Sequence, residues 1–254
     1  MLLVPLATGA VVASRYPFHG LALTLFILAA LTLFWLRTPV EAWLGTSAIK
    51  VHSPEERRIV LNVMVLLTAV AIAAIAALFV DGYSRGLLVV GTVAALSFVL
   101  QAGVKRLGRR GRMPAQIIGA VGLTSTAASA FYVATGQFSF VAIALWVANW
   151  LFAANQVHFV QLRIRSSRSA TLREKFRQGW MFFAGEIVLL LGVIGLSLAG
   201  LLPKFTVLAF IPALVRGVAW FLRKHQPLDV HRLGFSELFQ SIAFGVLLCT
   251  AFFV

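Results

Sequence analysis

The sequence predicts an all-α integral membrane protein: one transmembrane helical domain, residues 1–254, with about nine spanning helices of which the first is incomplete. Three observations carry that prediction. The chain is 60% hydrophobic and 12% charged, with a mean hydropathy of +0.93, whereas soluble domains carry about 25% charged residues. Its apolar stretches approach the roughly 20 residues that a bilayer-crossing helix needs. Finally, 18 of the 22 Lys and Arg residues fall in four alternate gaps between those stretches, the pattern of basic loops kept on one side of a membrane.

In order, the predicted spans are 1–14, 17–36, 59–80, 86–101, 115–133, 138–160, 179–199, 201–222 and 235–254. The first offers about 13 apolar residues where about 20 are needed. It is either a half-helix or a chain given without its leading segment, and the late start is the favoured expectation. The gap after the second span holds Arg37, Lys50, Arg57 and Arg58, and the gap after the fourth holds Lys105, Arg106, Arg109, Arg110 and Arg112. Arg163, Arg165, Arg168, Arg173, Lys175 and Arg177 follow the sixth span, and Arg223, Lys224 and Arg232 the eighth. The four other gaps hold Arg15, Arg85 and Lys204. The positive-inside rule then puts the N-terminus in the cytoplasm and the C-terminus outside a bacterial inner (plasma) membrane.

Short outer turns, Asp81-Gly82-Tyr83, Thr135-Gly136-Gln137 and Gly200 to Lys204, predict tight antiparallel pairs. The fifth span carries Gly122, Thr126 and Ala130 at four-residue spacing, with Gly119, Ser125 and Ser129 beside them. Small residues so spaced let membrane helices approach closely, so this helix is expected at the centre. The basic gaps leave room only for short interfacial helices such as Val40 to Thr46. A lone cysteine, Cys249, excludes a disulfide framework or a CxxC metal site and reads as packing filler.

Ionisable groups inside spans are the best functional pointers, since each costs about 2.5–3.5 kcal/mol at mid-helix on insertion scales. Glu186 and Arg216 fall at a similar depth from the cytoplasmic ends of the adjacent spans seven and eight, and they are expected to pair. Asn155 and His158 share a face near the end of span six, with Arg165 seven residues further on. Glu237 and Gln240 share a face at the start of span nine, and Asn62 opens span three. Together these suggest a polar cavity open to the cytoplasmic side. His52, His225 and His231 have no metal-ligand spacing.

The basic gaps account for the net charge of +14. Their plain role is topogenic, with contacts to anionic membrane lipid at about 1 kcal/mol per residue. No aromatic interleaving or nucleic-acid module accompanies them, so no nucleic-acid partner is expected. P-loop, HExxH and GxSxG motifs are absent, which leaves soluble hydrolase and kinase readings unsupported.

Nine helices, a cytoplasmic N-terminus and long inner loops after spans two and six resemble the UbiA superfamily of intramembrane prenyltransferases. The strings MLLVPL, RTPVEAWLG, NWLFAANQVHFVQLRIRS and RLGFSELFQSIAF look like the YwiC-like family, divergent relatives of that superfamily. Members of the family carry a His-Gly segment just ahead of the equivalent of LLVPL, in keeping with a late start. In UbiA enzymes two Asp-rich motifs, NDxxDxxxD and DxxxD, hold Mg²⁺ on a prenyl diphosphate. Here the corresponding positions read Leu36 to Glu41 and Asn155 to Arg163, and neither contains Asp. Metal-dependent prenyl transfer is therefore in doubt, and neither a metal nor another cofactor is expected. What the resemblance still implies is an isoprenoid or anionic, lipid-like amphiphile held between helices. Its head would meet Asn155, His158, Arg163, Arg165, Glu186, Arg216 and Glu237. The alternative is a transporter of a small solute or lipid.

Overall fold

The computed structural model describes residues 2–43, 53–108, 111–166, 172–222 and 229–254. Among these the chain is helical, without strands. The helices are α1 (Leu3–Ala13), α2 (Gly20–Trp43), α3 (Pro54–Val80), α4 (Ser84–Lys105), α5 (Arg112–Thr135), α6 (Phe140–Arg165), α7 (Leu172–Leu198), α8 (Thr206–Leu222) and α9 (Val230–Phe253). Seven of them, α2 to α7 and α9, are long and apolar enough to cross a membrane, while α1 and α8 are apolar but shorter. The chain is a multi-pass, all-α membrane protein, with seven candidate spans among the described residues where nine were predicted. In the eighth predicted span, five residues go into a turn. Gly200 takes φ +74° and ends α7, and Pro203 disfavours helix at the residue before it, so α8 starts only at Thr206.

Several helices run further into the basic gaps than hydropathy alone suggests. α7 starts at Leu172 and carries Arg173, Lys175 and Arg177, and α6 ends with Arg163 and Arg165 in its last turn. Long basic side chains can leave a helix sideways towards water, and cations suit helix C-termini. Val40–Trp43 continue α2 as part of one helix. The rest of the expected interfacial helix, 44–46, lies outside the described residues. So do Lys50, His52, Arg109, Arg110, Arg168, Arg223, Lys224 and His225. α3 begins with a capping box: Ser53 Oγ accepts from Glu56 N at 3.1 Å, and Glu56 Oε2 accepts from Ser53 N at 3.3 Å, with Pro54 next in line.

The centre of the bundle is α5, as its small residues predict. Its C-terminal half is buried continuously from Ala127 to Thr135. Gly9 of α1 lies against it so closely that a Cβ there would stand 2.2 Å from the Ala127 carbonyl oxygen. On another face Gly122 meets Ser97 of α4, and Gly86 of α4 meets the Tyr132 ring. From the third side, α6 donates two indole N–H groups to α5 carbonyls: Trp146 to Val121 at 3.0 Å and Trp150 to Ile117 at 3.2 Å. Phe152 of α6 and Phe244 of α9 stack at 3.9 Å, with Phe210 of α8 edge-on to Phe244, and this extends the core away from α5.

One predicted pair does not form tightly. α3 packs mainly on α2 and α4 mainly on α5, so the Asp81-Gly82-Tyr83 turn joins helices that splay apart. The glycine face of α5 draws α4 inward, while Leu78 of α3 joins Ala22 of α2 in a separate apolar cluster. Two cations outside the predicted site serve the fold by capping helix C-termini. Arg15 donates to the Phe252 carbonyl of α9 at 2.5 Å, and Lys175 donates to the Trp220 carbonyl of α8 at 2.5 Å while lying over the Trp220 ring.

Candidate functional site

Four helices, α6 to α9, each send polar side chains into one intramembrane cluster. Asn155 and Gln156 come from α6, Glu186 from α7, Arg216 from α8, and Glu237 and Ser241 from α9, where Gln240 lies one turn on from Glu237. Because α7 starts earlier than hydropathy suggests, Glu186 lies about 21 Å along that helix at 1.5 Å per residue, near its middle. Arg216 stands about 9 Å short of Leu222 at the same rise. Backbone room comes from Gly217: a Cβ at that position would stand 3.1 Å from Glu186 Oε1 and from the Phe182 ring.

The cluster is threaded by Asn155. Its Nδ2 donates to Glu186 Oε1 at 2.7 Å, and its Oδ1 accepts from Arg216 Nη2 at 3.3 Å. This is the amide orientation that a carboxylate on one side and a guanidinium on the other require. Arg216 Nη1 donates to Glu237 Oε1 at 2.5 Å, and the guanidinium carbon sits 4.1 Å above the Phe159 ring. The ion partner of Arg216 is thus Glu237, not the expected Glu186, which reaches it only through Asn155. The expected pairing looked to α7, which precedes α8, but α9, which follows it, packs more extensively on α8 and brings Glu237 nearer. Gln156 ties α6 to α9 as well, donating to Ser241 Oγ at 2.8 Å and to the Glu237 carbonyl at 3.1 Å.

Among the described residues, four buried polar atoms in or beside the cluster have no hydrogen-bond partner: Glu186 Oε2, Glu237 Oε2 and Arg216 Nε, with Gln240 Oε1 one turn on from Glu237. Glu186 is 6% exposed. Three of these atoms are acceptors and one is a donor, and the cluster sets two carboxyl groups against one guanidinium. Buried polar groups are expensive to leave unpaired, and what these atoms lack is mainly hydrogen-bond donors.

The seven sequence-predicted residues divide between two levels. Asn155, Glu186, Arg216 and Glu237 stand together. His158, one turn on from Asn155, packs edge-on to the Phe182 ring at 5.1 Å and against Gly185 of α7. Arg163 and Arg165 lie eight and ten residues beyond Asn155, about 12–15 Å along α6, outside the hydrogen-bonded cluster. Sequence reasoning missed Gln156 and Ser241, although an amide deep in an apolar helix was the available signal for the former. Among the described residues no three of His, Cys, Asp and Glu come together in a way that could hold a metal ion. The donor set also fits a Mg²⁺–diphosphate centre poorly: Glu41 is paired with Arg37 at 2.7 Å, and a cation beside Asn155 would face the Arg216 guanidinium.

No curated protein and no solved structure matches the chain. Residues 1–132, from α1 to near the end of α5, match a family model described as YwiC-like protein, and the α6–α9 cluster lies beyond that stretch. The match takes in more than half of the 254 residues, so the chain belongs to the YwiC-like family.

Proposed function

We propose that this protein is a one-domain, UbiA-like bundle of the bacterial inner membrane, with a cytoplasmic N-terminus. In this reading it binds the head of an amphiphilic, isoprenoid- or lipid-like molecule in the α6–α9 cluster. The observation that supports this best is the set of buried polar atoms on Glu186, Arg216, Glu237 and Gln240 that find no partner among the described residues. A tie that merely holds helices together has no use for them. The head group brings hydroxyl or amine donors to Glu186, Glu237 and Gln240 and an acceptor to Arg216 Nε. Any anionic part lies one level away, at Arg163 and Arg165. Binding, not metal-assisted prenyl transfer, is the activity that this donor set supports.

Native mass spectrometry of the purified protein and of Glu186→Gln tests the reading. That exchange keeps the bond from Asn155 while removing a carboxylate. A co-purifying amphiphile on the parent chain, lost in the variant, is the expected result. Equal retention in both, or no bound molecule in either, overturns it.

The surplus of carboxyl over guanidinium groups favours one second reading, a small-solute or lipid transporter in which Glu186 carries a proton. Intramembrane acids serve such relays. That reading expects engineered cysteines along α5 to α8 to be reachable from both faces of the membrane, whereas a one-sided binding site expects labelling from the basic side alone.

A further inference from the structure

On a face of α7 about a quarter turn from Glu186, a cleft of about 440 Å³ runs between α7 and α8. Its floor is Phe221 of α8, seated where Gly179 has no side chain: a Cβ there would stand 2.6 Å from the Phe221 ring. Phe176 stacks on Phe221 at 5.3 Å and Phe183 meets it edge-on at 6.0 Å, and Ile187 and Val218 extend the apolar wall. Trp180, 63% exposed, forms the rim. Its indole N–H finds no partner among the described residues, unlike those of Trp146 and Trp150.

The cleft carries charge at one end. Arg173, Arg177, Trp180, Ala184 and Ile187 recur at spacings of four, three, four and three, so they form one stripe along α7. Both arginines are exposed and have no acidic partner among the described residues. Along the helix axis Arg177 is level with the Phe176 end of the apolar slot and Arg173 about 4.5 Å beyond it, which places both guanidinium groups at that end. A slot that is wholly apolar, ends in two cations and has an amphipathic ring at the join fits an amphiphile with an anionic head. A second copy of this chain fits poorly, because it carries the same +14 charge.

We propose that the α7–α8 cleft is a binding site for an anionic phospholipid. One acyl chain lies against Phe221 between Phe176 and Phe183, and the phosphate lies on Arg173 and Arg177. This site is separate from the α6–α9 cluster and stands or falls independently of the ligand proposed there.

The test is reconstitution of the full chain into phosphatidylcholine vesicles containing either brominated-chain phosphatidylglycerol or brominated-chain phosphatidylcholine, with tryptophan fluorescence as the readout. Bromine quenches a ring it touches. The parent protein should be quenched more by the anionic lipid, and Trp180→Phe should remove that excess. Replacing both arginines (Arg173→Gln with Arg177→Gln) should cut the preference for the anionic lipid about 30-fold, at about 1 kcal/mol per basic residue. Val218→Phe, which fills the cleft without touching the charges, should reduce Trp180 quenching by both lipids. Equal quenching of the parent by the two lipids overturns the proposal. So does an anionic excess that survives Trp180→Phe or the double arginine replacement. A Trp180 shielded from both lipids by self-association, seen as a cross-linked dimer, overturns it too.

Discussion

The two most buried spanning helices, α5 and α6, hold their neighbours by different means. On α5 the contacts are close and uncharged: Gly9 rides on the Ala127 carbonyl, Gly122 admits Ser97, and Gly86 admits the Tyr132 ring. On α6 the neighbours are reached by side chains, first by indoles towards α5 and then by Asn155 and Gln156 towards α7, α8 and α9. Of their central stretches 61% and 56% are buried, against 11–22% for the other five spanning helices. Equal burial is therefore reached once without charge and once with it. The dry seam shows that close burial in this bundle does not require ion pairs, which supports the proposed ligand role for the charges of the α6–α9 cluster.

The contrast can be broken at its strongest point first. Arg216→Met leaves Glu237 as a buried, unpaired carboxylate and should destabilise the protein by about 3–5 kcal/mol, measured as loss of folded protein on thermal or denaturant titration in detergent. Joining it to Glu237→Met should recover most of that loss, because two well-packed apolar chains replace a buried pair at little expense. On the dry seam, Gly9→Ala sets a methyl against immovable backbone and should cost about 1–3 kcal/mol by overpacking. Gly122→Ala should cost clearly less in the same assay, since the atom it meets is the Ser97 hydroxyl, at 2.6 Å, which can rotate away. If the two glycine variants lose equal stability, the seam is not organised by backbone contact. Smallest of all, Gln156→Leu removes two bonds to α9 and should cost about 0.6 kcal/mol per hydrogen bond, the average for polar contacts between membrane helices.

Much of this architecture was legible in the chain. Hydropathy and the alternation of basic gaps gave the helical membrane class, and the spacing of Gly122, Thr126 and Ala130 pointed to α5 as the centre. Helix ends were less legible because Arg173, Lys175 and Arg177 read as loop when weighed by hydropathy, although a helix can carry them with their heads in water. That error moved Glu186 from near an end to the middle of α7. Asn155, Glu186, Arg216 and Glu237 could be singled out as intramembrane polar groups, but their partners could not. Pairing depends on helix rotation and on α9 lying beside α8, which no spacing within one helix encodes. Gln156 was overlooked for the same reason, since its partners, Glu237 and Ser241, are more than eighty residues away.

The central claim, that the α6–α9 cluster recognises a ligand and is not just a tie, is tested most directly by native mass spectrometry of Arg216→Met with Glu237→Met. In this pair the fold should survive while the guanidinium and one of the two carboxylates that face the ligand are gone. The account predicts a folded protein, with a melting temperature close to that of the parent, that has lost the co-purifying amphiphile. A folded double variant that retains the amphiphile as fully as the parent contradicts it.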